Sequence, residues 1–560
     1  MKLKRIIALF ATVAMMATML FGCGKPADNE TTAAPADKTT AGAEQQPTDG
    51  PTEAPTEAKP VYPVEGNPTV TIWSTISNAV QANGKQYGYT TLEERPYAKE
   101  LMKLTGINVD FVTPSSQDTA NEEKKIMLQN RNYTDILGFK GTEVEQYYAD
   151  GVIIQMDDVI EQYMPNFKAY LDANPDIAKI LRAPDGHYYQ IPLVMEDESL
   201  GATYGVYCRQ DWLDELKIEM PTTIDEWHDA LVKIKDAKKV APITMSKSGE
   251  IYKYGALLNA FCPDRSGGNF YVEDGKVMYI NTSDGMKAFL KVMNQWFEEG
   301  LIDPDFAAAS STDLRAKMSS GKAFMSAGYA GSGMQKVTNA ALETDPNFLL
   351  TAVATVAATK GAEIKYKSAT PLVATTTAGN CITTKCANVE AAARLLDFYW
   401  TEEGYMLNNF GIKDVTYTVA ADGKVTYTDY ILKNPDGLAV NEAMAGYMVN
   451  FEGGGGLQAV DYLTGYYSSI PSVAAAPAIW SSKGEVDQSM RLVKLTADEN
   501  EEKALYSEVD KTSNAALTAF ITGAKDIDTE WDAYVKQVEG LGLNDLLKIY
   551  QAAYDRYMAD

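Results

Sequence analysis

The residues able to do covalent chemistry are few and poorly placed for it. The chain of 560 residues has two histidines, His187 in the turn-like "PDGHYY" and His228 beside Trp227. A catalytic triad or a multi-histidine metal site has almost nothing to be built from. No Gly-x-x-x-x-Gly-Lys-Ser/Thr loop occurs, and the glycine run ending at Gly456 lacks the lysine that would reach a phosphate. Paired carboxylates stay open: "MEDES" supplies Glu196, Asp197 and Glu198, and a glycosidase needs only two acids flanking the scissile bond. With 76 Asp and Glu in the chain, neighbouring acids arise by chance. The expectation is a non-enzyme, with no catalytic residue, no metal and no cofactor.

The charge narrows the partners. Fifty Lys and Arg against 76 Asp and Glu give a net charge of −26, which disfavours nucleic acid and anionic membrane surfaces. Five cysteines, at 23, 208, 262, 381 and 386, are too few for a disulfide framework in so long a chain. The spacing of Cys381 and Cys386 is compatible with a bridge and with two free thiols alike. Aromatic content is permissive of sugar recognition: 33 Tyr and 7 Trp, with pairs at Tyr147-Tyr148, Tyr188-Tyr189 and Tyr466-Tyr467. Sugars present apolar C–H faces to rings and hydroxyls to short planar polar groups. Most of these rings must nevertheless pack cores.

At the N-terminus Lys2, Lys4 and Arg5 precede an apolar run from Ile6 to Leu20. Its 15 residues would span only ~22 Å as a helix, short of the ~30 Å hydrocarbon core, and the layout is that of a signal peptide. Leu20-Phe21-Gly22-Cys23 resembles a bacterial lipobox, which implies lipidation of Cys23, removal of residues 1–22 and an outer-face membrane anchor. Residues 23–66, with "TTAAPADKTTAGAEQQPTDGPTEAPTEAKP" at their heart, lack the apolar side chains needed to offset folding entropy and read as a tether.

Elements that position a site begin at residue 67. "TVTIW" (69–73) alternates as a strand, Tyr97, Leu101 and Leu104 fall at helical spacing before Gly106, and "INVDFV" (107–112) alternates again. A helix around 122–128 and a strand at "DILGF" (135–139) continue a strand–helix–strand rhythm, so the fold class is α/β with parallel pairing. Thr223 and Glu226 fit a capping box before the stripe Ile224, Trp227, Leu231 and Ile234. Trp531, Tyr534, Val535, Val538 and Leu541, then Leu546, Tyr550, Tyr554 and Tyr557, predict two closing helices, and "DGKVTYTDYIL" reads as a hairpin.

Several stretches resemble the family 1, carbohydrate-type extracellular solute-binding proteins of ABC importers, in their long lipoprotein subgroup. They include "YTDIL" (133–137), "ADGVIIQMDDVIEQYMPN" (149–166), "RQDWLDEL" (209–216), "PTTIDEW" (221–227), "WFEEGLIDPDF" (296–306), "GKAFMSAGYAGSG" (321–333), "ILKNPDGL" (431–438) and the stretch 530–557. The resemblance implies a type II, two-lobed periplasmic-binding-protein-like fold with a hinge and C-terminal helices. The first lobe is expected at 67–200 and 365–410, the second at 201–364 and 411–560. It further implies a solute, most readily an oligosaccharide, held in the cleft of a monomer that docks on ABC permease subunits. Tyr329, Trp73, Ser74, Asn78, Phe139, Lys140, Glu196 and Arg209 are the expected ligand contacts. A glycoside hydrolase, or a peptide-binding or sensory lipoprotein of the same fold, are the alternatives.

Overall fold

The structure, a computed structural model, describes residues 62–559 apart from 247–254, 264, 266–267, 368–371, 374–377, 449–454, 468–469 and 486–489. The signal peptide, Cys23 and nearly all of the tether lie outside the described residues.

The first part of the chain builds β1 (Thr69–Trp73), α1 (Asn78–Tyr87), α2 (Pro96–Thr105), β2 (Asn108–Val112), α3 (Ala120–Gln129) and β3 (Ile136–Lys140). β1 runs parallel to β2 along its length and parallel to β3 at Ile72↔Ile136. Proline opens α2, and Gly106 ends it at φ +70, where an added Cβ would stand 2.6 Å from the Val64 carbonyl oxygen. Both the left-handed turn and the close approach require glycine there. Three short helices, α4 (Asp157–Tyr163), α5 (Pro165–Ala173) and α6 (Pro175–Leu181), precede β4 (Leu193–Met195). Val70, Leu101, Val109, Ile136 and Phe167 are buried in one core.

After β4 the chain passes to a second core. Here β5 (Tyr204–Arg209) is the middle strand, and α7 (Ile224–Lys238) buries Ile224, Trp227, Leu231 and Ile234 on the predicted stripe. The capping box is half formed: Thr223 Oγ1 accepts from the Glu226 N–H, but the Glu226 carboxylate accepts from Thr222, not from Thr223. β6 (Phe270–Glu273) and β7 (Lys276–Tyr279) form a hairpin, and β8 (Met325–Tyr329) and β9 (Leu350–Ala352) flank β5 antiparallel. Trp227, Phe289, Trp296, Phe324 and Phe520 fill this core.

The chain returns to the first sheet through β10 (Ala378–Ile382), antiparallel to β3, followed by α8 (Val389–Phe398) and α9 (Glu402–Phe410). The next segment bears on where the first lobe ends. β11 (Tyr417–Val419), β12 (Val425–Tyr427), α10 (Val440–Ala445), β13 (Gly456–Gln458) and α11 (Val460–Tyr466) follow in order. Up to β13 this insertion packs on the first core, not the second: Asn83 Nδ2 donates to the Glu442 carbonyl (2.7 Å), Arg95 Nη1 to that of Ala445 (3.2 Å), and β13 pairs parallel with β4. β11 and β12 do form a hairpin, but residues 429–432 of the expected second strand turn into a helix.

α12 (Pro471–Trp480) rejoins the second core, where Trp480 Nε1 donates to the Val206 carbonyl at 2.8 Å. The chain closes with α13 (Ala497–Ala504), α14 (Ser507–Ile521), α15 (Ile527–Gly540) and α16 (Leu543–Ala559). Stretches passing between the cores run side by side: the Met195 N–H donates to Leu372 O (2.7 Å), Lys367 pairs with Glu198 (2.9 Å), and Glu485 N–H donates to Lys365 O (2.8 Å). Among the described residues Cys208, Cys262, Cys381 and Cys386 form no disulfide. Among the described residues no helix is long and apolar enough to cross a membrane.

Candidate functional site

Because β1, β2 and β3 are parallel, their carboxyl ends fall on one edge, where crevices of α/β sheets form. That edge carries Trp73 and Lys140, the last residues of β1 and β3. Ile191 bridges Asn380 of the antiparallel β10, so the chain from 191 to 195 runs in the direction of β3 and carries Glu196 out past the same edge. Ser74 is fixed there by its N–H to the Val112 carbonyl (3.0 Å), and Asn78 is exposed at the start of α1, next to the Ser77 cap. Trp73 is half-buried against Leu137 and its neighbours.

Glu196 is held by one oxygen. Its Oε2 accepts from the Val460 N–H (3.1 Å) and the Tyr405 hydroxyl (3.4 Å), while its own N–H donates to the Gln458 carbonyl (3.0 Å). Burial pushes the carboxyl above the ordinary glutamate range, and the two donors act in the opposite direction. Oε1 has no hydrogen bond among the described residues and remains able to accept one.

Across the crossing segment 196–203 stands the second half. Tyr329 ends β8 directly opposite Tyr204, the first residue of β5, and the Ala330 N–H donates to Thr203 O at 2.9 Å. The Tyr204 and Tyr329 rings meet edge-to-face, 4.8 Å between centroids at 88°, and Tyr329 stays 55% exposed. Other large apolar side chains, such as Ile126 and Leu505, are as exposed or more so; what distinguishes Tyr329 is its place beside the crossing segment and its ring brace on Tyr204.

Two expected contacts are not brought to this place. Arg209 lies at the other end of β5, roughly 17 Å from Tyr204 at strand spacing. Its buried guanidinium bonds the Asp211 carboxylate through two nitrogens (2.8 and 2.5 Å) and lies over Phe348. Phe139 is 1% exposed, 4.0 Å from the Tyr147 ring, with Lys124 Nζ over its face. Both faces of β3 are buried, Ile136 in one cluster and Leu137 with Phe139 in another, and Lys140 is exposed only because it ends the strand. Conversely, Tyr204, Tyr405, Gln458 and Val460 belong to the site without having been expected. Tyr405 and Val460 meet Glu196 across 209 and 264 residues, a pairing no local pattern announces. Tyr204 carried a signal, as the aromatic opening a strand right after the crossing.

Among the described residues no three His, Cys, Asp or Glu lie together as a metal cluster would. Two α/β cores joined by adjacent crossing stretches, with helices closing the chain, make this a type II periplasmic-binding-protein-like fold. The profile of the bacterial extracellular solute-binding proteins matches residues 88–406, and the chain belongs to that family. It binds a solute and is not an enzyme. It is 26% identical over 505 residues, 83% of this chain and 88% of the relative, to the fructooligosaccharide ABC transporter substrate-binding protein FusA of Streptococcus pneumoniae serotype 4. Among solved structures it is similar to the alginate-binding protein AlgQ2 without calcium ion (22% identity, TM-score 0.66). It is also similar to an HMO-binding, ABC-transporter-associated solute-binding protein of Bifidobacterium longum infantis (19%, TM-score 0.67). Each alignment covers 88% of this chain and 99% of the other.

Proposed function

We propose that this chain is the substrate-binding component of an ABC importer and that its solute is an oligosaccharide. The observation that carries the sugar reading is the open Tyr329 ring, braced by Tyr204 at one end of the crossing segment with the Glu196 carboxylate at the other. The ring offers a platform for a sugar's C–H face, and Glu196 Oε1 an acceptor for a hydroxyl. Trp73, Ser74, Asn78 and Lys140 complete the first-lobe side. We assign the first lobe to 67–200 and 365–459, and the second to 201–364 together with α12, α14 and α15. Solute contacts made only when the lobes approach drive closure, and the closed form is what a permease would read. The name and length match of FusA support this reading.

Cys23 is the proposed lipid anchor of a monomer whose mature chain begins there. If residues 23–66 act as the tether their composition implies, they would reach roughly 35 to 40 Å, enough to work beside a membrane partner. Growth with a clickable fatty acid should label the protein, and Cys23→Ala should abolish the label; an unlabelled protein refutes the anchor. For the solute, thermal-shift screening against oligosaccharides should give a melting rise without release of reducing ends. A peptide mixture that shifts melting when no sugar does would refute the oligosaccharide reading.

A further inference from the structure

The C-terminal arm joins the two cores a second time, away from the crossing strands. α16 begins in the second core, where Leu543 and Leu546 are buried. Further along, the Tyr550 ring stacks on Phe270 at 4.0 Å, and the Gln551 amide closes on the β6–β7 hairpin: Oε1 accepts from the Val277 N–H (2.8 Å) and Nε2 donates to Gly275 O (3.1 Å). Less than two turns later the same helix rests on the first core, with Tyr557 packed against it and Lys179 Nζ 4.6 Å from the Tyr557 ring centroid.

The segment leading into α13 repeats that grip. Lys494, 7% exposed, donates to the Leu181 and Arg182 carbonyls at the end of α6 (3.1 and 2.8 Å). Burial pushes its ammonium down to about 7, against the pull of the nearby Asp185 and Glu145 carboxylates. Arg556 pairs with both Glu499 oxygens (2.9 and 2.8 Å) and donates to Lys494 O (3.1 Å), so α16, α13 and Lys494 form one unit. The Ala497 N–H donates to Glu145 Oε2 at 3.2 Å.

Beside this unit lies an open groove of about 1070 Å³, walled by α4, α5 and α6 on one side and by Leu492, Lys494, Ala553 and Arg556 on the other. The seam mixes these polar bonds with apolar contacts: Leu492 is buried in the first core, and Leu495, Ile549 and Ala553 form a small buried cluster between the segment and α16. A small apolar cluster beside an open groove opens more readily than a continuous core. A stiff helix gripping both halves nevertheless means that the lobes cannot separate without breaking either the Gln551 contacts or the Lys494 and Tyr557 contacts.

We propose that this arm is a clasp that limits lobe separation, and that Lys494, Arg556 and Glu499 are positioning residues for solute capture. The inference rests on the reading that the lobes close on a solute. A narrower range of separations before binding leaves less ordering to be done on closure.

Single-molecule energy transfer without any solute tests the clasp. Dyes replace Lys103 on α2 and Asp229 on α7, whose side chains are 71% and 78% exposed, in a Cys386→Ser background. Glu499→Gln and Lys494→Met should each broaden the distance distribution and add a longer-distance population that the parent lacks. Distributions that stay unchanged, with or without a fall in melting temperature, would overturn the clasp and leave these residues as packing. Should Lys494→Met fail to fold, Glu499→Gln, which changes only a partly exposed partner, decides alone. Because no sugar is used, failure here leaves the oligosaccharide reading standing, and failure of every sugar to bind leaves this result intact.

Discussion

The two ends of β5 carry residues of equal recognition potential and put them to opposite uses. At its start Tyr204 faces Tyr329, and a tyrosine ring stands 55% exposed beside the crossing. At its end Arg209, a residue well suited to grip polar ligands, is 3% exposed and spends its guanidinium on Asp211. The difference is one of place. The start of β5 is where the chain arrives from the first core, so side chains there face the junction. The far end is covered by Trp212 and Phe348, where an unpaired cation would be costly and a paired one is fixed.

The comparison is broken most severely at the buried end. Arg209→Met strands the Asp211 carboxylate, and chemical denaturation should show a loss of about 3 kcal/mol while solute affinity stays unchanged. A large affinity loss at constant stability would reverse the assignment. At the open end the pattern inverts. Tyr329→Ala removes a mostly solvated ring, so stability should hold within about 0.5 kcal/mol, while affinity falls roughly tenfold or more. Tyr204→Ala should cost less, about threefold in affinity, as expected for an edge-to-face brace worth about 0.5–1.5 kcal/mol, and Tyr204→Phe should restore the loss.

Glu196 sharpens the picture through pH. Its carboxyl is raised by burial, so between the ordinary glutamate pKa and that raised value the folded chain holds more protons than the unfolded one. Its contribution to stability therefore declines as pH rises through that window, and Glu196→Gln should remove that part of the slope. Solute affinity should move the other way, rising with pH as Oε1 becomes a full carboxylate acceptor. Parallel melting and binding series across pH 4 to 7 would separate the two.

Local chemistry made much of the scaffold legible. Gly106 marked the end of α2, the Ile224–Ile234 stripe marked α7, and the tyrosine-rich faces marked α15 and α16. Strand phase was harder to use: β3 is covered on both faces, so Phe139 is buried, and only its position at the strand end leaves the adjacent Lys140 in solvent. Least visible were contacts closed by distant segments. Nothing near Glu196 foretells Tyr405 or Val460, and nothing in 411–459 foretells docking on α1 and α2, because those pairings exist only once both cores have formed.

The central claim is that an open tyrosine at the junction of the two cores receives an oligosaccharide. It is tested most directly by calorimetric titration of the protein and of Tyr329→Ala with whichever oligosaccharide raises the melting temperature most. Tight binding by the parent and at least ~tenfold weaker binding by the folded variant is the predicted result. Equal affinity in the two proteins would contradict it.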